Sequence, residues 1–205
     1  MRTIAAMALL MLAQAGAAQG PNYPKAKVDY GDFKNLVAEV EAHRASRLVD
    51  FDTFLKMSAE PGVLILDSRS AFRYERVHLK GATNLSFTDF TQGRLGEVIP
   101  SPETTILIYC NNNFEGDPVD FASKVAVPDS GGGGRVAAQF NVQAKPLMMA
   151  LNIPTYINLY GYGYRHVYEL NELVDVSDPR ATFEGAIVGT SSIYSRRLPA
   201  ANPET

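Results

Sequence analysis

The sequence predicts an α/β fold, a parallel sheet with helices on both faces. Val63-Leu64-Ile65-Leu66 and Ile106-Leu107-Ile108-Tyr109 are short, continuous apolar runs bounded by turn or polar residues. That is the pattern of strands buried on both faces. Segments with helical spacing alternate with them, as in a sheet whose strands are joined by helical crossovers. The length of 205 residues suits one domain with its own apolar core.

The elements follow in order. Arg2 precedes the apolar run from Ile4 to Leu12, and Ala13-Gln14-Ala15 and Ala15-Gly16-Ala17 are small-x-small sites. Residues 1–18 have the anatomy of a secretory signal peptide, with an uncleaved anchor as the alternative; the run is too short for a comfortable span. The expected location is periplasmic or secreted, with no membrane span once the signal is cleaved. Residues 19–33, with Pro21 and Pro24, read as a linker. Residues 34–46 place Leu36, Val37, Val40 and Ala45 near one helical face. Arg47 to Val49 reads as a short strand, and Asp50 as the cap of a turn carrying Phe51, Phe54 and Leu55.

The run from Val63 to Leu66 ends at Asp67-Ser68-Arg69-Ser70, a helix is expected over 70–76, and Ala82 to Leu85 is a third strand. Helix and loop fill 87–99. The second clear strand ends at Cys110. Asn152-Ile153-Pro154 reads as an N-cap followed by proline in the first turn, with a helix over 153–162 ended by Gly163. His166 to Leu170 is the last strand. Residues 115–151 break this rhythm and contain Gly131 to Gly134, so they read as an insertion with a flexible tip and a possible surface for a protein partner. The domain is expected over 34–177, with a C-terminal extension over 178–205 in which 183–189 pack and the last eight residues fray.

Net charge is -3, which argues against a nucleic-acid surface. The chain has a single cysteine, so no internal disulfide forms. In an exported protein such a residue is either a small buried hydrophobe or a working thiol. Cys110, Asp67 and Arg69 all lie at carboxyl ends of strands, where open α/β sheets bind ligands. The segment Asn111-Asn112-Asn113-Phe114-Glu115-Gly116 is rich in residues that tolerate tight turns. A curled loop of this kind aims N–H groups inward and favours an anion such as a thiolate. Asp67 and Arg69 also read as an ion pair fixing the turn after the strand. Three histidines and one cysteine at scattered positions do not make a zinc site, and no cofactor is expected. Tyr156, Tyr160, Tyr162, Tyr164 and Tyr168 read as packing.

Several stretches resemble the rhodanese family. Leu64-Ile65-Leu66-Asp67-Ser68-Arg69 is similar to its strand ending in Asp-x-Arg. Tyr74, then His78-Leu79-Lys80-Gly81-Ala82-Thr83-Asn84, resembles its tyrosine-to-asparagine stretch. Ile106-Leu107-Ile108-Tyr109-Cys110 resembles its strand and active cysteine, and residues 161–170 resemble its closing helix and strand. The resemblance implies a three-layer fold with a five-stranded parallel sheet. It also implies a sulfurtransferase in which Cys110 takes sulfur from a small donor and passes it to a thiol or other nucleophilic acceptor. Asp67, Arg69 and the backbone N–H groups from Asn111 to Gly116 would then form the substrate-binding site around the persulfide.

The departures are specific. The cysteine loop has no basic residue and contains Glu115, which disfavours a doubly charged donor. Arg73 stands where the family has glutamate, and Val77 where it has glycine. No arginine follows Cys110 before Arg135, which argues against the phosphatase relatives. Asn152 lies far downstream of Cys110, whereas in the family the loop runs almost directly into its helix. Either Asp117-Pro118 starts a substitute helix or the insertion covers the site. The alternative function is a non-catalytic binding module or a periplasmic thiol redox sensor.

Overall fold

The computed structural model describes residues 24–126, 147–148 and 150–195. The expected signal peptide over 1–18, the tract from Gly131 to Gly134 and the last eight residues lie outside these. Helix α1 (Tyr30–Ala45) opens at Asp29, whose carboxylate accepts the Asp32 N–H at 2.9 Å. It therefore begins four residues before the expected start, inside the stretch read as linker. Apolar spacing hid this turn because Tyr30 and Phe33 are exposed, and of the expected inward face Val40 is buried and Leu36 partly so, while Val37 and Ala45 are exposed. Strand β1 (Leu48–Val49) leads to α2 (Phe51–Ser58), which Asp50 caps by accepting the Thr53 N–H at 2.8 Å. β2 (Leu64–Asp67), α3 (Ala71–Arg76), β3 (His78–Leu79) and β4 (Thr83–Asn84) follow. A tight turn at Phe87–Asp89 and α4 (Gln92–Val98) precede β5 (Ile106–Tyr109).

After another tight turn at Asn111–Asn113 come β6 (Phe114–Glu115), β7 (Val125–Ala126), β8 (Leu147–Met148) and α5 (Asn152–Gly161). The described residues end in β9 (Val167–Leu170), β10 (Val174–Asp175), β11 (Phe183–Glu184) and α6 (Ser192–Ser195). The central sheet is five-stranded and parallel throughout, in the order β1-β9-β5-β2-β4. Alternate residues of its strands feed two cores. Ile65, Leu107 and Tyr109 join Phe51 and Phe54 of α2 on one face. Leu66, Ile106, Ile108 and Val167 join Val40 of α1, Leu95 of α4 and Tyr156 and Leu159 of α5 on the other. Burial on both faces is why these strands are continuous apolar runs rather than alternating ones. Tyr156 and Tyr160 are part of this second core.

Between residues 181 and 194, Ala181, Phe183 and Tyr194 belong to the first core, with Ile187 and Val188 packed against it. β11 pairs antiparallel with β3, and Phe183 and Tyr194 are buried beside Phe114 and Phe121. Gly185, at φ 130°, lies so close to the α3 end that an added Cβ would stand 2.4 Å from the Arg76 carbonyl oxygen. Only glycine fits that approach.

Candidate functional site

Cys110 follows β5, the middle strand, and its thiol is 1% exposed. The backbone N–H groups of Leu151 and Asn111 bear on the sulfur and favour its anion. Leu151 is the N-cap residue of α5, so the chain returns after a long excursion and sets a helix N-terminus on the sulfur. Burial pushes the Cys110 thiol up from its ordinary value; the two N–H groups and Arg69 pull the other way, and Asp67 adds to the rise.

Asn113 holds this arrangement. Its Oδ1 accepts the Cys110 N–H at 2.9 Å and Asn152 Nδ2 at 2.8 Å, and its Nδ2 donates to the Leu170 carbonyl at 2.7 Å. One buried amide thus ties the ends of β5 and β9 to the start of α5. The Asn152 side chain was expected to cap the helix; it is drawn instead to Asn113, and the helix begins at Asn152 itself. Asn112 Oδ1 accepts the Lys124 N–H at 2.8 Å. Asn111 Oδ1, Asn112 Nδ2 and Asn152 Oδ1 are buried with no hydrogen-bond partner among the described residues.

Asp67 and Arg69 form a buried ion pair, with Nη2 to Oδ2 at 2.6 Å. Tyr109 also donates to Asp67 Oδ2 at 2.6 Å, and Arg69 reaches the carbonyls of Val77 and Asp120. The Arg69 fork is committed to the fold, so the pair fixes the β2 turn, and Arg69 reaches the site only as a wall. Behind it, Asp120 is held below the usual carboxylate range, chiefly by Arg76 and also by Arg73. Asp117 accepts the Tyr194 hydroxyl at 2.7 Å. His78 Nδ1–H donates to the Tyr74 carbonyl at 2.7 Å and the imidazole stacks on the Tyr74 ring at 3.7 Å, a structural placement.

A cavity of about 330 Å³ opens above the carboxyl ends of β2 and β5. Cys110, Asn111 and Arg69 line it, with Ser68, Ser70, Arg73, Ser86, Phe87, Thr88, Ala122, Lys124 and Leu151. Phe114, Glu115 and Gly116 do not. The Phe114 ring enters the first core, and β6 then runs parallel to β10, which carries Glu115 and Gly116 away. The expected N–H cradle from Asn111 to Gly116 is therefore corrected at Phe114, Glu115 and Gly116: the N–H groups that bear on the sulfur are those of Asn111 and Leu151, with the Asn113 N–H also directed at the Cys110 side chain. The expectation that Glu115 repels an anion also lapses, because no carboxylate lines the cavity among the described residues. Sequence reasoning missed Lys124, and it noted Arg73 only as a departure from a family pattern. Among the described residues no cluster of histidine, cysteine and carboxylate groups is placed to hold a metal ion, and no helix is long and apolar enough to cross a membrane.

The family model described as rhodanese-like domain matches residues 50–172, more than half of the chain. No curated protein matches the sequence. Two crystal structures are similar to it. The Alr3790 protein from Anabaena sp. is 18% identical, with 69% of this chain and 95% of that one covered and a TM-score of 0.38. The BH2092 protein from Bacillus halodurans is 15% identical, with 78% and 92% covered and a TM-score of 0.43.

Proposed function

The chain belongs to the rhodanese-like domain family, and from that premise we propose that it is an exported sulfurtransferase carrying sulfane sulfur as a persulfide on Cys110. The observation that carries the reading is the sulfur itself. It belongs to a residue on the wall of a cavity, and backbone N–H groups from its own loop and from the N-cap of α5 bear on it and favour its anion. Those dipoles favour negative charge on sulfur.

The thiol first loses its proton to solvent. The thiolate attacks the outer sulfur of a donor R–S–S⁻; a new S–S bond forms, the donor's S–S bond breaks, and R–S⁻ leaves. A thiol acceptor, as its thiolate, then attacks the outer sulfur of the Cys110 persulfide and takes it, and the Cys110 thiolate returns. No external oxidant or reductant is required.

A second reading is a redox-sensing thiol or binding module, and one observation favours the binding module: burial is the largest influence on the thiol and raises its pKa. Intact-mass spectrometry after incubation with several sulfane-sulfur donors separates the two, with Cys110→Ser as control. A gain of one sulfur atom in the wild type alone supports the carrier. No gain with any donor, while a small alkylating agent still modifies Cys110, favours the second reading. No gain and no alkylation returns Cys110 to the core and ends the sulfurtransferase proposal.

A further inference from the structure

Ala122 and Lys124 line the Cys110 cavity, and the turn that delivers them, residues 117–121, is built on one buried carboxylate. Asp117 Oδ1 accepts the Val119 N–H at 3.0 Å and the Asp120 N–H at 2.9 Å, and the Asp117 carbonyl accepts the Phe121 N–H at 3.0 Å. An aspartate that bonds the backbone two and three residues on fixes such a turn locally. The turn then meets the α3 side of the cavity. Arg73 donates to the Val119 carbonyl and pairs with Asp120, and Arg76 pairs with Asp120 at 2.6 Å. Arg69 donates to the Asp120 carbonyl at 3.3 Å, and its guanidinium lies over the Phe121 ring at 4.6 Å. Arg69 and Arg73 themselves line the cavity.

A second set of contacts comes from chain beyond residues 50–172, the span that matches the family. Phe183 packs on Phe121 with ring centroids 5.7 Å apart, and Tyr194 packs on Phe183 at 5.4 Å. Tyr194 is 2% exposed, and its hydroxyl donates to Asp117 Oδ2 at 2.7 Å. One carboxylate thus carries the turn on one oxygen and the C-terminal tail on the other. Hydrogen bonds to a buried charged group are among the stronger ones, and removing this donor weakens the anchor of the whole turn.

We propose that Tyr194 is a positioning residue of the site: through Asp117 it holds segment 117–124 against α3, and so sets how far Cys110 is open to incoming molecules. The tail is then a working part of the cavity although it lies outside the matched domain. The inference rests on Cys110 meeting its partners in this cavity, and it holds whether or not those partners carry sulfur.

Alkylation of Cys110 by iodoacetamide, followed over a range of pH in the full mature chain, reads this access. The plateau rate reports how easily the reagent arrives, and the midpoint reports the thiol. Tyr194→Phe keeps the ring and removes only the hydroxyl. Its plateau is expected about tenfold above wild type, the scale of one hydrogen bond to a charged group. The midpoint stays, because the Asn111 and Leu151 N–H groups are not held by Tyr194. Asp117→Asn weakens the same link, and the double variant should be no faster than the faster single one, as for two residues acting in series. Val40→Ala lowers stability from the second core without touching the wall, and its plateau should stay within about twofold of wild type, since local opening is separate from global stability. An unchanged plateau in Tyr194→Phe, a midpoint that moves with it, accelerations that multiply in the double variant, or an equal acceleration in Val40→Ala each overturns the proposal. If Asp117→Asn does not fold, Tyr194→Phe against Val40→Ala still decides. Sulfur uptake is read separately by intact mass: faster alkylation in Tyr194→Phe with no sulfur gain in either protein ends the carrier reading and leaves the positioning role standing.

Discussion

Three consecutive asparagines follow Cys110, and the structure gives them unequal work. Asn113→Ala removes three short hydrogen bonds at once, to the Cys110 N–H, the Asn152 amide and the Leu170 carbonyl. Each buried group left open costs about 1–3 kcal/mol. The three share one side chain and the space it leaves admits water, so the losses do not simply add. The expected loss is about 3–5 kcal/mol, a large part of the ~5–15 kcal/mol typical of a domain. For a chain of this length each kcal/mol lowers Tm by about 2–4 °C, so the variant should melt roughly 6–20 °C below wild type. Asn111→Ala removes an amide whose oxygen has no partner, and its stability should lie within about 0.5 kcal/mol of wild type. Urea denaturation and thermal melting of both variants provide the comparison. If Asn113→Ala costs less than about 1 kcal/mol, or the two cost the same, then Asn113 does not tie the loop to α5 and the account of how Leu151 reaches the sulfur fails.

Asp67→Asn should cost about 3–5 kcal/mol in urea denaturation, because it strands the buried Arg69 guanidinium; a change below about 1 kcal/mol would show that the fork finds other acceptors. Alkylation of Cys110 should accelerate with pH around a midpoint above that of an ordinary thiol, about 8.5, because burial raises this one; a midpoint near or below neutral refutes that. The sign for stability follows, since the folded state holds the thiol proton longer: the contribution of Cys110 is complete below the unfolded pKa and is lost as pH rises through the folded one. His43 behaves oppositely, because burial first, then Arg47 and Arg165, depress its pKa. Its contribution is complete above the unfolded value, about 6.5, and fades as pH falls toward the folded one. His43→Gln should therefore flatten the acid side of the urea-midpoint profile, and an unchanged slope would assign that slope to other groups.

Much of the architecture was legible because two-sided burial imposes its own pattern. The runs ending at Leu66 and Tyr109 are apolar at every position, since alternate residues enter different cores. The position of Cys110 followed from the end of such a run. Its helix partner did not follow, because sequence separation says nothing of where a long excursion returns. The buried Leu151 N–H contact depends on an Asn113–Asn152 bond between residues far apart in the chain. Lys124 was invisible for the same reason. Arg73 was closer to hand: a cation where the family pattern has a carboxylate, directly after the β2 turn, is a signal about the charge of the cavity. The docking of 181–194 was half visible, since Phe183 and Tyr194 are large apolar-bodied residues in a tail otherwise rich in small and polar ones.

The two influences on Cys110 pull in opposite directions, and their balance bears on the proposed chemistry. Burial holds the resting thiol protonated, which makes it a poor target for adventitious oxidants. The N–H groups of Asn111 and Leu151 do nothing for a neutral thiol and act fully on an anion. A persulfide is a stronger acid than its parent thiol, and on the proposed carrier reading its charge would sit one bond beyond Cys110 Sγ, where the desolvation acting on Sγ would be weaker. The same site that suppresses the bare thiolate is therefore better suited to the charged persulfide. A carrier needs that asymmetry: a quiet thiol between turnovers and a stabilised anion while loaded. A redox sensor needs the reverse, a thiolate ready at rest. The measured thiol pKa alone does not decide between them; the difference between the bare and the sulfur-loaded cysteine does.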